Sequence, residues 1–186
     1  MQTPLYRSEM LSPFGPLTLL ASAKGLAGVL FRPPPKSERV GRAYASDLLA
    51  DTRAQLTEYF SGRRHRFALP LDLHGTAFQL RVWQTLCDIP YGETISYAEL
   101  ARRISNPAAV RAVGLANARN PISIIVPCHR VIGSSGRLVG YGGGLERKSF
   151  LLRFEARAVF RVHVSMSRQS SGSESRRVES KKFAPS

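Results

Sequence analysis

The chain of 186 residues carries 27 Lys and Arg against 13 Asp and Glu, a formal net charge of +14. Hydrophobic residues at 43% with charged residues at 22% exclude a core-less, disordered chain, and the length suits one main domain with a small appendage. The excess charge fits either a polyanionic partner, most often nucleic acid, or a surface that merely prevents association.

No apolar run approaches the ~18 residues that span a bilayer, and residues 1–10 lack a charged segment followed by an apolar stretch. Neither membrane insertion nor secretion is expected. Cys87 and Cys128 are the only cysteines, too few for a disulfide framework and outside any Cys/His cluster that would hold zinc. A reducing, cytoplasmic setting without a metal or other cofactor follows as an expectation.

In chain order, Leu17, Leu19 and Leu20, then Val29, Leu30 and Phe31, alternate around Ala23-Lys24-Gly25 and predict a β-hairpin. Pro33 to Pro35 read as a connecting loop. Helical spacing returns over 45–60 through Leu48, Leu49, Leu56 and Tyr59, with Ser46 or Asp47 as the cap and Gly62 just past the end. An N-terminal α/β subdomain over 1–73 is the resulting expectation. His65 among Arg63, Arg64 and Arg66 reads as a solvated basic loop.

Thr76 opens a helix with Phe78, Val82, Trp83 and Leu86 on one face, which Pro90-Tyr91-Gly92 stops. Cys87 on this helix reads as packing. Ser96 caps a short helix, Ser105-Asn106-Pro107 makes a turn, and a second helix runs over 108–118. Two short helices joined by a tight turn suggest helix-turn-helix. The run Pro121 to Val126 is apolar and β-branched, which predicts a strand buried on both sides. It leads into Pro127-Cys128-His129-Arg130-Val131, and a glycine-rich stretch 140–144 precedes a last helix with Leu145, Phe150, Leu151, Leu152 and Phe154. Residues 158–164 suit one short strand, and the rest is Ser-rich, basic and aperiodic. Residues 157–186 read as a flexible tail carrying +5 of the net charge.

A cysteine presented at the end of a buried strand, between Pro127 and His129, is a candidate nucleophile, because the thiolate is the reactive form and needs a base or positive charge nearby. His129 or Arg130 can supply that help, and Glu155 can orient the imidazole as the third member of a relay. Side chains of adjacent residues diverge, so Cys128 and His129 meet either directly or through a water. The bland alternative is a small buried hydrophobe beside a surface histidine.

Ile124-Ile125-Val126-Pro127-Cys128-His129-Arg130-Val131 resembles the active-site signature of the O6-alkylguanine-DNA alkyltransferases, the methylated-DNA–protein-cysteine methyltransferases. Thr76-Ala77-Phe78-Gln79 with Val82-Trp83, Ile89 to Thr94 with Ser96-Tyr97, Arg111-Ala112-Val113-Gly114, Asn117 to Pro121 and Tyr141 to Gly144 match further blocks in the same order. The resemblance spans about residues 5–155. It implies a ribonuclease H-like α/β subdomain over 1–73 and a helical DNA-binding and alkyl-acceptor subdomain with helix-turn-helix over 74–156.

On the family pattern Cys128 accepts the alkyl group, His129 acts as base through water, Glu155 orients His129, and Asn120 braces the active-site turn. Tyr97 donates a proton toward the leaving guanine, and Arg111 on the second helix fills the space left by the flipped base. Asn106 and Ser134 match positions near the DNA backbone or the pocket. The implied partner is double-stranded DNA containing O6-alkylguanine, bound by a monomer and repaired once per molecule, since nothing in the chain cleaves a thioether. O4-alkylthymine is a further candidate lesion. Competing readings are a lesion sensor on the same scaffold and a turnover cysteine hydrolase. Phe150 replaces a common Trp, Ala156 replaces a common Gly, and the zinc site of some relatives is absent.

Overall fold

A computed structural model describes residues 5–33, 40–41 and 47–158. The expectations for residues 159–186, including a strand reaching Val164, lie outside the described residues, whereas residue 158 itself is helical.

The first half is a four-stranded sheet with one helix. β1 (Leu5–Ser12), β2 (Gly15–Ala21), β3 (Leu26–Leu30) and β4 (Val40–Gly41) lie in the order β3-β2-β1-β4, antiparallel except for the parallel β1–β4 pair. The anticipated hairpin is β2–β3, with Thr18 opposite Leu30 and Leu19 opposite Val29. β1 was not anticipated from the residue pattern. Its side chains are mostly half-buried and Leu11 is 83% exposed, so it shows little of the alternation that marks a strand with one buried face. Pairing along its whole length with β2, from Tyr6–Ala21 to Ser12–Gly15, makes it a strand. α1 (Asp47–Phe60) buries Leu49, Thr52, Leu56 and Tyr59.

The second half is helical. α2 (Ala77–Cys87) begins with a complete capping box: Thr76 Oγ accepts from Gln79 N, and the Gln79 side chain accepts from Thr76 N. β5 (Ile95–Ser96) leads directly into α3 (Tyr97–Arg103), which Ser96 caps by accepting from Glu99 N. Pro107 opens a single 3-10 turn that runs into α4 (Val110–Ala118), so the helix pair forms as expected. β6 (Val131–Ile132) pairs in parallel with β5, and a last helix, α5, occupies 145–158.

The run 122–126 corrects one expectation. It is fully buried, but it is no strand. Ile125 N donates to Ser123 O at 2.9 Å and Val126 N to Ile122 O at 2.9 Å, so the chain coils through tight turns. Ile124 at their centre has φ +74, a conformation that costs a β-branched residue on the order of 1–3 kcal/mol and is held by the packing around it. Apolar continuity reports burial on all sides. It cannot distinguish a strand from a buried coil.

Both halves share one core, from Leu17, Leu19 and Val29 through Leu56 and Tyr59 to Trp83, Leu100, Val113 and Leu151. Backbone bonds stitch them together: Val29 N donates to Pro121 O at 3.0 Å and Ser123 N to Val29 O at 3.2 Å. The approach is close enough at Gly143 that a Cβ there would meet the Phe31 ring at 2.6 Å. No helix among the described residues is long and apolar enough to cross a membrane.

Candidate active site

The coil ends at a 3-10 turn, Cys128–Arg130, whose three residues are all buried. Asn120, just past α4, organises the approach. Its Oδ1 accepts from Ile122 N at 3.0 Å, while its Nδ2 donates to Val126 O at 2.8 Å and to the Cys128 Sγ at 2.9 Å. Asn117 Nδ2 donates to the Cys128 carbonyl at 3.2 Å. Burial pushes the Cys128 thiol up to about 11, opposed by the Asn120 hydrogen bond and by Lys148. The resting group is therefore a protonated thiol near neutral pH, with a donor already placed to stabilise a thiolate.

His129 is fully buried, with Nε2 2.9 Å from Glu155 Oε1. Burial pushes its pKa down against the pull of Glu155, so the ring is neutral. A carboxylate only accepts, which puts the imidazole proton on Nε2 and leaves the Nδ1 lone pair as the basic position. Nδ1 is buried and has no hydrogen-bond partner among the described residues.

Glu155 on α5 is the hub. Its Oε1 accepts from Tyr59 OH at 2.7 Å, from His129 Nε2 at 2.9 Å and from Arg130 Nη2 at 2.9 Å; its Oε2 accepts from Arg130 Nε at 2.9 Å and Gly92 N at 3.0 Å. Although burial opposes ionisation, the hydrogen bonds from His129 and Arg130 and the Arg130 charge hold the carboxyl well below its ordinary range. Arg130 donates its remaining Nη1 to Ile89 O at 2.6 Å. Of the two groups expected to assist the thiol, Arg130 thus turns to the carboxylate instead.

Tyr97, the first residue of α3, donates to the carbonyls of Val139 and Gly140 at 3.0 and 3.1 Å, and Asn117 Nδ2 lies 3.5 Å from its hydroxyl. Burial pushes it up to about 12. Lys148, fully buried on α5, donates to Val139 O at 2.7 Å and lies 3.4 Å from the Tyr97 hydroxyl; burial brings it down to about 8.

The structure therefore brings Cys128, His129, Glu155 and Asn120 together and joins Tyr97 to them through Asn117. Arg111 on α4, Asn106 in the α3–α4 turn and Ser134 in the turn after β6 are exposed and outside this buried cluster. Tyr59, Asn117, Arg130 as a partner of Glu155, and Lys148 escaped the sequence reading. One signal was available: a tyrosine on the buried face of a helix has a hydroxyl that needs a partner.

One further expectation changes. Cys87 is exposed at the end of α2, with its thiol donating back to Trp83 O at 3.4 Å, because the buried face of α2 carries Val82, Trp83 and Leu86 instead. His65 stacks on the Tyr91 ring at 4.2 Å while its own surface remains exposed. Among the described residues no group of three or more His, Cys, Asp or Glu is placed to hold a metal ion.

Fold and site define a protein that buries one thiol beside a His–Glu pair, in a helical half whose α3–α4 pair turns one face to solvent. The ribonuclease-like domain of 6-O-methylguanine DNA methyltransferase matches residues 5–73, and the DNA binding domain of the same family matches residues 77–157. The chain belongs to this family. A methylated-DNA–protein-cysteine methyltransferase from Mycobacterium leprae is 52% identical over 152 residues, covering 81% of this chain and 92% of the relative; one from Methanosarcina mazei is 46% identical over 153 residues, covering 81% and 97%. The crystal structure of Mycobacterium tuberculosis OGT in complex with DNA superposes with a TM-score of 0.76 at 46% identity, covering 83% of this chain and 94% of that one. The activity is accordingly methyl transfer from DNA to a cysteine of the protein, a repair reaction.

Proposed function

We propose that Cys128 is the acceptor, and that the protein removes the alkyl group of an O6-alkylguanine extruded from duplex DNA. The observation that carries this reading is the Asn120 amide donating to the buried Cys128 Sγ at 2.9 Å, beside a neutral imidazole held by Glu155. In the transfer, the bond from sulfur to the alkyl carbon forms as the carbon–O6 bond breaks. The thiol proton passes to His129 Nδ1 through a water, and Tyr97 supplies a proton to the departing base. A proton returned from His129 to Tyr97 through solvent closes the sum: the thiol loses one proton and guanine gains one. The thioether has no route back, so each chain acts once.

A base inside a duplex cannot reach a thiol that is 3% exposed, so extrusion is required, at a cost of a few kcal/mol. The exposed face of α4 suits that task. Arg111 lies four residues before Leu115, an apolar side chain 61% exposed, and residues at this spacing share a helix face. A guanidinium that fills the vacated stack beside an apolar wedge is a known way to offset unstacking. Asn106 and Ser134, both exposed, serve as contacts to the DNA backbone or at the pocket.

The division into 1–73, 74–156 and a basic tail over 157–186 accompanies this reading. All the named groups lie on one chain, so a monomer suffices, and free thiols suit the cytoplasm. O4-alkylthymine is a second substrate on the same chemistry. Mass spectrometry after incubation with O6-methylguanine DNA tests the proposal: the Cys128 peptide gains one methyl group per chain. Tight lesion binding with an unmodified Cys128 would identify a sensor instead.

A further inference from the structure

Tyr59 stands in the N-terminal half, 96 residues from Glu155 in the chain, yet it makes the shortest of the five hydrogen bonds to that carboxylate, at 2.7 Å. It is completely buried, and its ring is walled in by Phe60, Phe67, Tyr91 and Phe154, with centroids 5.3 to 5.9 Å away. Two carboxylate oxygens offer about four lone-pair sites, so five donors saturate them. The phenol and the imidazole share Oε1, and each donor added to that oxygen lowers the negative charge presented to the others.

We propose that Tyr59 is a positioning residue of the alkyl-transfer site: its hydroxyl pins Glu155 and limits that carboxylate's pull on His129, so that the N-terminal half keeps the imidazole in its proton-accepting form. This rests on His129 receiving the thiol proton. The groups around His129 are Glu155 and Lys148 from α5, Arg130 and Cys128 from its own turn, and, through Glu155, Tyr59 from α1 and Tyr91 from the loop after α2. Glu155 alone favours protonation of the ring, while burial, Arg130 and Lys148 oppose it. Removing the Tyr59 donor leaves Glu155 more basic and tilts this balance toward the imidazolium, which accepts no proton.

The test is the single-turnover rate of methyl transfer from duplex O6-methylguanine DNA between pH 5 and 9, for the wild type and Tyr59→Phe, with DNA affinity measured alongside. Tyr59→Phe keeps the ring and removes only the donor. The expected result is an acid limb moved to higher pH, with rates there about three- to tenfold lower, a plateau within about twofold and unchanged affinity. Site-specific 3-fluorotyrosine at 59, a stronger donor, moves the limb the opposite way and covers the case in which Tyr59→Phe folds poorly. An acid limb that stays in place in both variants overturns the role of Tyr59, as does a loss uniform across pH. Failure of the underlying reading looks different: the wild type itself would leave Cys128 unmethylated, or His129→Gln would keep the wild-type acid limb.

Discussion

The two halves bury their polar groups differently. Around the sheet the core is apolar, with Leu17, Leu19, Leu26, Val29 and Leu56 fully buried and, among the described residues, only Thr18, Ser22 and Thr52 as buried polar residues. Around Cys128 the interior holds His129, Arg130, Lys148, Glu155, Asn117 and Asn120. Buried charge costs several kcal/mol per ion before pairing, and a well-packed apolar substitute is often as stable. On the function proposed above, the network serves the thiol and the imidazole rather than stability. Tyr59 is where the two regimes touch.

That contrast can be broken at several points. Cys128→Ser abolishes transfer completely while the chain still binds lesion DNA, as gel retardation and mass spectrometry of the same sample would show. Glu155→Gln leaves Arg130 and His129 without their carboxylate and costs about 3–5 kcal/mol of stability, with transfer slowed at least as severely; a stable, active variant would end the hub interpretation. Leu19→Ala, in the apolar half, costs about 2–5 kcal/mol in denaturant unfolding but leaves the rate per folded molecule unchanged. Arg111→Ala slows repair of duplex DNA about tenfold or more, a deficit of one to two kcal/mol in extrusion, and leaves reaction with the free base O6-methylguanine within about twofold. Equal losses on both substrates count against a role in base extrusion.

The pH dependence sharpens the same contrast. His129 is held below its ordinary 6.5 when folded, so the unfolded chain takes up its proton first, and the stability that this neutral histidine permits is lost as pH falls below about 6.5. Glu155, also depressed, adds a second loss as pH falls below its ordinary 4.5. Thermal midpoints measured between pH 7 and 5 should decline, and His129→Gln should flatten the decline. The smallest effect is expected at the other thiol. Cys87→Ser, at an exposed site outside the network, stays within about 0.5 kcal/mol of the wild type and transfers fully.

Local signals were read correctly where the interaction that makes the element is itself local. The Thr76 and Ser96 caps, the β2–β3 hairpin, the Pro107 turn and the amphipathic face of α2 each depend on residues a few positions apart, and all appear in the structure. The contiguous block Ile124 to Val131 was enough to point to the family and its thiol. β1 escaped because its pairing with β2 makes it a strand, and the coil at 122–126 because apolar continuity records burial without conformation.

By itself the sequence determined the class of chemistry and marked out the proposed acceptor cysteine with its adjacent imidazole, since these sit in one uninterrupted segment whose residue types carry the meaning. Beyond Glu155 and Asn120, which the family resemblance already implied, only tertiary structure decided which groups surround them. Tyr59 from α1, Gly92 from a loop, Arg130 from the active turn and Glu155 from α5 converge because each must satisfy a buried polar atom. A buried donor or acceptor takes whatever partner folding brings within hydrogen-bond distance, and no periodicity in the chain records a partner 96 residues away.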